Sequence, residues 1–281
     1  MKARANISRL LIILGWLFAV LTLFPIYIMI TNSFKGRAEI FTDTIGLPQS
    51  IDFTYYANAI QKMDFFRAFL NSLTITVASI FFIIIFSSMA AWALVRNKSK
   101  TSSFIFFLLV STMLIPFQAV MIPLMQYMSG WSIKSINFSM IDTFYGLIFM
   151  YIGFGTSLSV FLYHGFIKGV PVSLEEAAMI DGCNRFQTFW RIVFPTLKPI
   201  SVTVAILNVI WMWNDYLLPS LVLRSPKLRT IPLSTFYFFG EFTIQWNLAM
   251  AGLVLTIIPV IIFYLLSQRY IIKGVMEGAV K

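Results

Sequence analysis

Two adjacent carboxylates, Glu175 and Glu176, one histidine, His164, one cysteine, Cys183, and the run Trp213-Asn214-Asp215 carry the side-chain types that chemistry requires. Paired carboxylates suit acid–base work when both face one reacting bond. Consecutive helical side chains, however, point about 100° apart, and no nucleophile or metal-ligand constellation accompanies these two. His164 stands near the end of an apolar run with no clustered acid, so it reads as a helix-end residue without a proton relay. A single thiol excludes an internal disulfide framework and is too few for a zinc site, which leaves Cys183 as a small packing residue. Asp215 lies at the edge of an apolar stretch, where a charge is costly in lipid and is expected to face a cavity or a polar partner. No residue is assigned a catalytic role, no metal site is expected, and the chain is read as not an enzyme.

The elements that position these residues follow from composition. With 59% hydrophobic and only 11% charged residues, the chain cannot cover a water-facing surface, so lipid must be the solvent for most of it. A helix needs roughly 20 residues to cross about 30 Å of hydrocarbon. Uncharged intervals at 10–34, 68–95, 101–133, 143–167 and 242–268 meet that length, and 199–223 makes a sixth span that carries Asp215 near one end. The expectation is an all-α membrane protein with six transmembrane helices. The first interval is too long for the apolar core of a signal peptide, and no small-x-small site leads into a soluble domain, so it is expected to be retained. Prolines at 25, 116, 123, 219 and 259 fall in or beside the spans, where they remove a hydrogen bond and favour kinks.

Lys and Arg are retained on the cytoplasmic side of short loops. Thirteen of them lie at one set of helix ends: Lys2, Arg4, Arg9, Arg96, Lys98, Lys100, Lys168, Arg185, Arg191, Lys198, Arg269, Lys273 and Lys281. The eight on the other side, Lys35, Arg37, Lys62, Arg67, Lys134, Arg224, Lys227 and Arg229, are nearly cancelled by seven acids there. Both termini are therefore expected in the cytoplasm. The net charge of +10 is explained by membrane topology and not by nucleic-acid binding. Outside, 35–67 is the longest loop, with a helix-like stretch at 55–60; inside, the longest is 168–199.

That inner loop reads as a structured elbow. Ser173 is expected to cap a helix with Glu176 reaching back to it, and Gly182 to stop that helix in a left-handed turn. Leu174, Ala177, Ala178 and Asp181 then fall at 3/4 spacing on one face, the alanines allowing close approach of another backbone. Asn184 is expected to cap a second helix through Phe186, Phe189, Trp190, Ile192 and Val193, whose aromatics suit a membrane interface, before Pro195 and Pro199 set the next span. So short a helix is marginal alone and needs a packing partner, taken to be a cytoplasmic protein.

Glu176-Ala177-Ala178, three residues, Gly182, nine residues, and Ile192-Val193-Phe194-Pro195 resemble the EAA loop of ABC importer permeases, Phe194 standing where Leu is usual. Asp181-Gly182, Phe189, Trp190, Lys198-Pro199, Trp213-Asn214-Asp215-Tyr216 and the ending at 269–281 resemble the carbohydrate branch, most closely the smaller, maltose-type permease. The resemblance covers nearly the whole chain. It implies a type I ABC importer permease fold: an N-terminal part at 1–68 with one span and an external loop, a five-helix core at 69–270 containing the coupling loop 168–199, and a cytoplasmic tail at 271–281. It further implies that Leu174, Glu176, Ala177, Ala178, Asp181, Gly182 and Arg185 form a coupling helix and its flank, seated on an ATP-binding subunit. The implied partners are a second, homologous permease, two ATP-binding subunits, an extracellular solute-binding protein, a sugar, and the lipid of the bacterial inner membrane. ATP and Mg belong to the partner subunits, since the chain has no GxxxxGK[ST] loop of its own.

Trp211, Trp213, Asn214 and Asp215 make a candidate substrate pathway, read either as a carbohydrate-like platform or as a subunit contact. Two other functions are weighed. A proton-coupled carrier needs several intramembrane ionisable groups and usually an inverted repeat; a membrane-embedded enzyme needs a catalytic cluster at one interface. Neither set is present. The same importer with another cargo, such as a polyamine or a phosphorylated polyol, stays open at this point.

Overall fold

The computed structural model describes residues 2–130, 132–133, 138–239 and 245–279. The described chain is almost wholly helical: α1 Lys2–Asn32, α2 Arg37–Thr42, α3 Thr54–Lys62, α4 Phe65–Arg96, α5 Lys100–Ser111, α6 Phe117–Gly130, α7 Phe144–Ile167, α8 Ser173–Ile180, α9 Arg185–Thr188, α10 Phe194–Thr196, α11 Lys198–Asn214, α12 Leu217–Val222, α13 Ile231–Thr235 and α14 Trp246–Ala279. One two-residue antiparallel pair, β1 Ser132–Ile133 with β2 Phe138–Ser139, precedes α7.

Among the described residues, four helical segments are long and apolar enough to cross a membrane by themselves: Leu11–Asn32, Phe65–Arg96, Phe144–Ile167 and Trp246–Gln268. They match the expected spans at 10–34, 68–95, 143–167 and 242–268, the last without 242–244, which lie outside the described residues. The other two expected spans are broken. The stretch 101–133 is not one helix: Lys100–Leu114 and Phe117–Gly130 meet at 106°, with Pro116 at the break. Proline lacks the N–H that would continue the ladder and pushes the preceding residue out of the helical region, and Ile115 is indeed extended. The stretch 199–223 is also interrupted. Its helix α11 ends at Asn214, Asp215 takes extended backbone, and α12 begins two residues later.

The chain divides into two compact units. The first, 1–66 with 234–261, has a small core in which Ala59 and Met63 of the α3 region meet Phe238, Leu248, Ala249 and Ala251. The expected helix at 55–60 is α3. The second unit, 67–233 with 262–281, holds the larger core, built from α4, α7, α11 and the segments between them. Here α4 buries Ser72, Thr76, Ser79, Ile83 and Ser87 at 3/4 spacing, with Asn71 and Ser88 beside them. Small hydroxyl residues let helices approach closely where lipid offers no hydrophobic drive between them. Asn208 of α11 donates to Ser159 of α7 at 3.1 Å, a polar contact inside this core.

Candidate functional site

The loop between α7 and α11 is folded throughout. Its first helix, α8, starts one residue earlier than the sequence suggests: Val172 is the N-cap, no side chain caps the first turn, and Ser173 lies within the helix. The expected Ser173–Glu176 capping box is therefore absent, since Glu176 sits one position too far along to reach the cap amide. Instead the first turn rests on backbone bonds from Glu175 and Glu176 N–H to the Val172 carbonyl.

The far end of α8 follows expectation. Gly182 has φ +86°, Cys183 N–H donates to Ala178 O at 2.9 Å, and Gly182 N–H to Met179 O at 3.1 Å. This is a Schellman ending, in which the left-handed residue is almost always glycine. Asn184 then caps α9 reciprocally with Gln187, each side chain accepting from the other's backbone N–H at 2.9 Å. A π-turn at Phe189–Val193 and α10 lead into α11 across a 74° bend between Thr196 and Lys198, with Pro195 and Pro199 on either side.

The two faces of α8 differ from the predicted single stripe. Glu175 and Ala178 point inward and are buried, whereas Leu174, Glu176, Ala177, Ile180 and Asp181 are exposed, as are Gly182 and Arg185. Ile180 is 86% exposed. Ala178 thus packs on its own chain, and the outward surface carries Glu176 and Ala177 with apolar Leu174, Met179 and Ile180 around them. Phe189, expected at a membrane interface, is buried at 1% exposure against Trp92, with ring centroids 5.3 Å apart.

Sequence reasoning missed the role of Glu175. Its carboxylate accepts from Trp92 Nε1 at 3.0 Å and from Arg96 Nε at 2.8 Å, and Arg96 Nη2 stands 2.7 Å from the same carboxylate. Arg96 Nη2 also donates to Val170 O at 3.0 Å. Removing one partner of a buried pair costs about 3–5 kcal/mol, because the other charge is left uncompensated. A signal was present: Trp92 and Arg96 are an i,i+4 pair at the end of an apolar span, able to take an acid together.

The second candidate set does not share one face. Trp211 lies edge-on to Tyr151 at 5.4 Å, and Trp213 edge-on to Phe69 at 5.7 Å. The two indoles therefore turn to different neighbours and make no joint platform. Asn214 Nδ2 is taken by the Ile210 carbonyl at 2.7 Å. Asp215 has the polar partner expected of it: Tyr151 Oη donates at 3.0 Å, while its other oxygen accepts the Leu217 N–H at 3.0 Å and caps the break before α12. His164 stacks on Phe106, centroids 3.8 Å apart, beside a cleft of about 760 Å³ also lined by Lys168, Leu174 and Pro199.

At the other end of the second unit, Asp142 holds the 224–225 turn. Burial alone would raise its carboxyl, but the Ser225 hydroxyl and the Ser225 and Arg224 N–H groups donate to it and hold it below the usual carboxylate range.

A multi-pass protein whose described residues are almost wholly helical, with an elbow between two spans that exposes one face of a short helix, has the form of a membrane component of a transport machine. Residues 83–277 match the family described as binding-protein-dependent transport system inner membrane component, and the chain belongs to that family. It is 50% identical over 272 residues to the probable starch degradation products transport system permease protein AmyC of Thermoanaerobacterium thermosulfurigenes, covering 97% of this chain and 96% of that one. Identity is 34% over 280 residues to the melibiose/raffinose/stachyose import permease protein MelC of Bacillus subtilis, with 99% of both chains covered. The fold is that of a bacterial ABC transporter involved in the import of the acidic polysaccharide alginate, with a TM-score of 0.82 at 24% identity over 96% of this chain and 98% of the other. The chain is thus a permease of an ABC importer.

Proposed function

We propose that this permease translocates a sugar, a di- or oligosaccharide such as a product of starch breakdown, handed to it by an extracellular binding protein. The observation that carries the cargo class is the 50% identity, over 97% of the chain, to a relative named for starch degradation products. Both termini lie in the cytoplasm, as the basic residues require. A second, homologous permease completes the central pathway. Two separate subunits bind ATP and Mg and drive the cycle, with α8 seated on one of them as the coupling helix. The exposed surface of Leu174, Glu176, Ala177 and Ile180, closed by the Gly182 turn, supports that docking: it is apolar around one charge and faces away from the inward side of α8, which Glu175 and Ala178 bury on the chain itself. Asp181 and Arg185 flank this surface and are open to solvent in the chain.

Purification of the chain from its native membrane, mass spectrometry of what accompanies it, and a saccharide panel on any binding protein recovered test the proposal together. A second permease, an ATPase and an oligosaccharide-binding protein are the expected result. Recovery of the chain alone, still transporting after ATP depletion, would overturn it. Glu176→Ala and Gly182→Val, each assayed for uptake and ATPase binding, test the coupling surface; full transport in both would remove α8 from that role.

A further inference from the structure

Three parts of the elbow are tied to one end of α4. Glu175 of α8, 4% exposed, is held by Trp92 Nε1 and by the Arg96 guanidinium. The Val170 carbonyl, just before α8, accepts from Arg96 Nη2. Phe189, after α9, packs on the Trp92 ring. Trp92 and Arg96 are four residues apart and share a face of α4, so two side chains grip the loop before, within and after the coupling helix. A planar guanidinium and an indole N–H fix direction as well as distance. The carboxylate they hold lies inward, whereas Glu176 is free on the outer surface.

The same helix is pinned at its other end. Asn71 Nδ2 donates to the carbonyls of Lys227 and Arg229, at 2.9 Å each, and Ser72 Oγ accepts the Ile231 N–H at 2.9 Å. α4, 32 residues long with no internal proline, runs unbroken between these anchors. Packed side chains, ion pairs and rigid helices are the means by which distant sites bias one another.

We infer that Trp92, Arg96 and Glu175 form a strut that transmits displacement of α8 to α4, and through α4 to the 227–231 segment at its opposite end. Their role is positioning: they touch neither ATP nor cargo. The inference rests on the coupling reading of α8 proposed above.

The test uses the whole transporter in vesicles, with ATP hydrolysed per sugar imported as the readout. A residue needed only for folding lowers both rates with the amount of assembled complex and leaves that ratio unchanged. Glu175→Gln keeps an acceptor for Trp92 but breaks the ion pair, and the ratio is expected to rise about tenfold, a typical size for coupling between sites. Trp92→Phe keeps an aromatic ring, though a smaller one, against Phe189 and removes the N–H donor; it carries the test if Glu175→Gln does not assemble, with an expected rise of about fivefold. An unchanged ratio in the variants that assemble overturns the strut. If Glu176→Ala and Gly182→Val abolish transport while these two keep the normal ratio, the strut fails and the coupling reading stands. If Glu176→Ala and Gly182→Val transport normally, the coupling reading itself fails.

Discussion

Gly155 of α7 is the position where a single methyl group tests the packing of three helices. A Cβ there would stand 2.5 Å from Ile83 Cδ1 of α4 and 2.8 Å from Asn208 Oδ1 of α11, closer than real carbon contacts. Ile83 is fully buried. Asn208 is tethered, its Nδ2 donating to Ser159 Oγ at 3.1 Å and to Val204 O at 2.8 Å. Both close atoms are side-chain ends, so relief of the clash requires turning the buried Ile83 or breaking the tethers of Asn208. Overpacking of this kind costs about 1–3 kcal/mol. Loosening the Asn208–Ser159 contact adds about 0.6 kcal/mol, the average for such bonds between membrane helices. Alanine's better helix propensity returns at most about 1 kcal/mol. The net expectation for Gly155→Ala is a loss of about 1–2.5 kcal/mol. Gly153 is the control: it is exposed and a Cβ there meets nothing within 4 Å, so Gly153→Ala keeps only the propensity gain of up to about 1 kcal/mol. Reversible unfolding of the purified chain in mixed micelles measures both. Adding Ile83→Val, which removes the offending δ-methyl, is expected to restore part of the loss. Equal stability of the Gly155→Ala and Gly153→Ala chains, or no recovery with Ile83→Val, would refute the packing argument.

Asn71→Ala releases two carbonyls of the 227–231 segment, and tryptic cleavage after Lys227 and Arg229 is expected to rise about tenfold, for a loss of about 1–2 kcal/mol in local stability; unchanged cleavage would show the segment to be held by other contacts. Because the Asp142 carboxyl is held below its ordinary value, its contribution is complete above the unfolded-state value and fades as pH falls through the folded one. Hydrogen exchange at 222–226, corrected for intrinsic rates, is therefore expected to lose protection on acidification in the native chain, and to show no such pH dependence in Asp142→Asn. Tyr151→Phe leaves an Asp215 oxygen without its donor and is expected to cost about 1–3 kcal/mol in unfolding, whereas sugar-stimulated ATPase in Asp215→Asn separates a pathway role from packing; unaltered stimulation and assembly would leave Asp215 as a helix-break cap.

Much of the elbow was legible because its signals are local. Gly182 and Asn184 act on backbone groups within five residues of themselves, so their turn and cap follow from residue type and spacing. Ser173 misled because Val172 already closes the first turn with its carbonyl, shifting the cap by one position and carrying Glu176 out of reach. The inward face of α8 was invisible for another reason: Glu175 and Glu176 are equivalent to any local rule, and only the arrival of Trp92 and Arg96, some 80 residues earlier in the chain, makes one buried and leaves the other free. The break at Pro116 was signalled by the proline itself, whose missing N–H acts locally, whereas the break at Asp215 lies inside a run that is otherwise continuously apolar and carries no such backbone signal.

By itself, then, the sequence determined the solvent, the number of apolar stretches and the presence of a capped elbow, because burial of charge in lipid and the hydrogen-bonding needs of helix ends depend on nearby residues alone. Tertiary structure alone decided which of two adjacent glutamates is gripped, that Trp211 and Trp213 turn to different neighbours, and that one helix joins the elbow to the 227–231 segment. Those outcomes depend on which distant side chains meet in a close-packed interior, and no period or composition along the chain records that meeting.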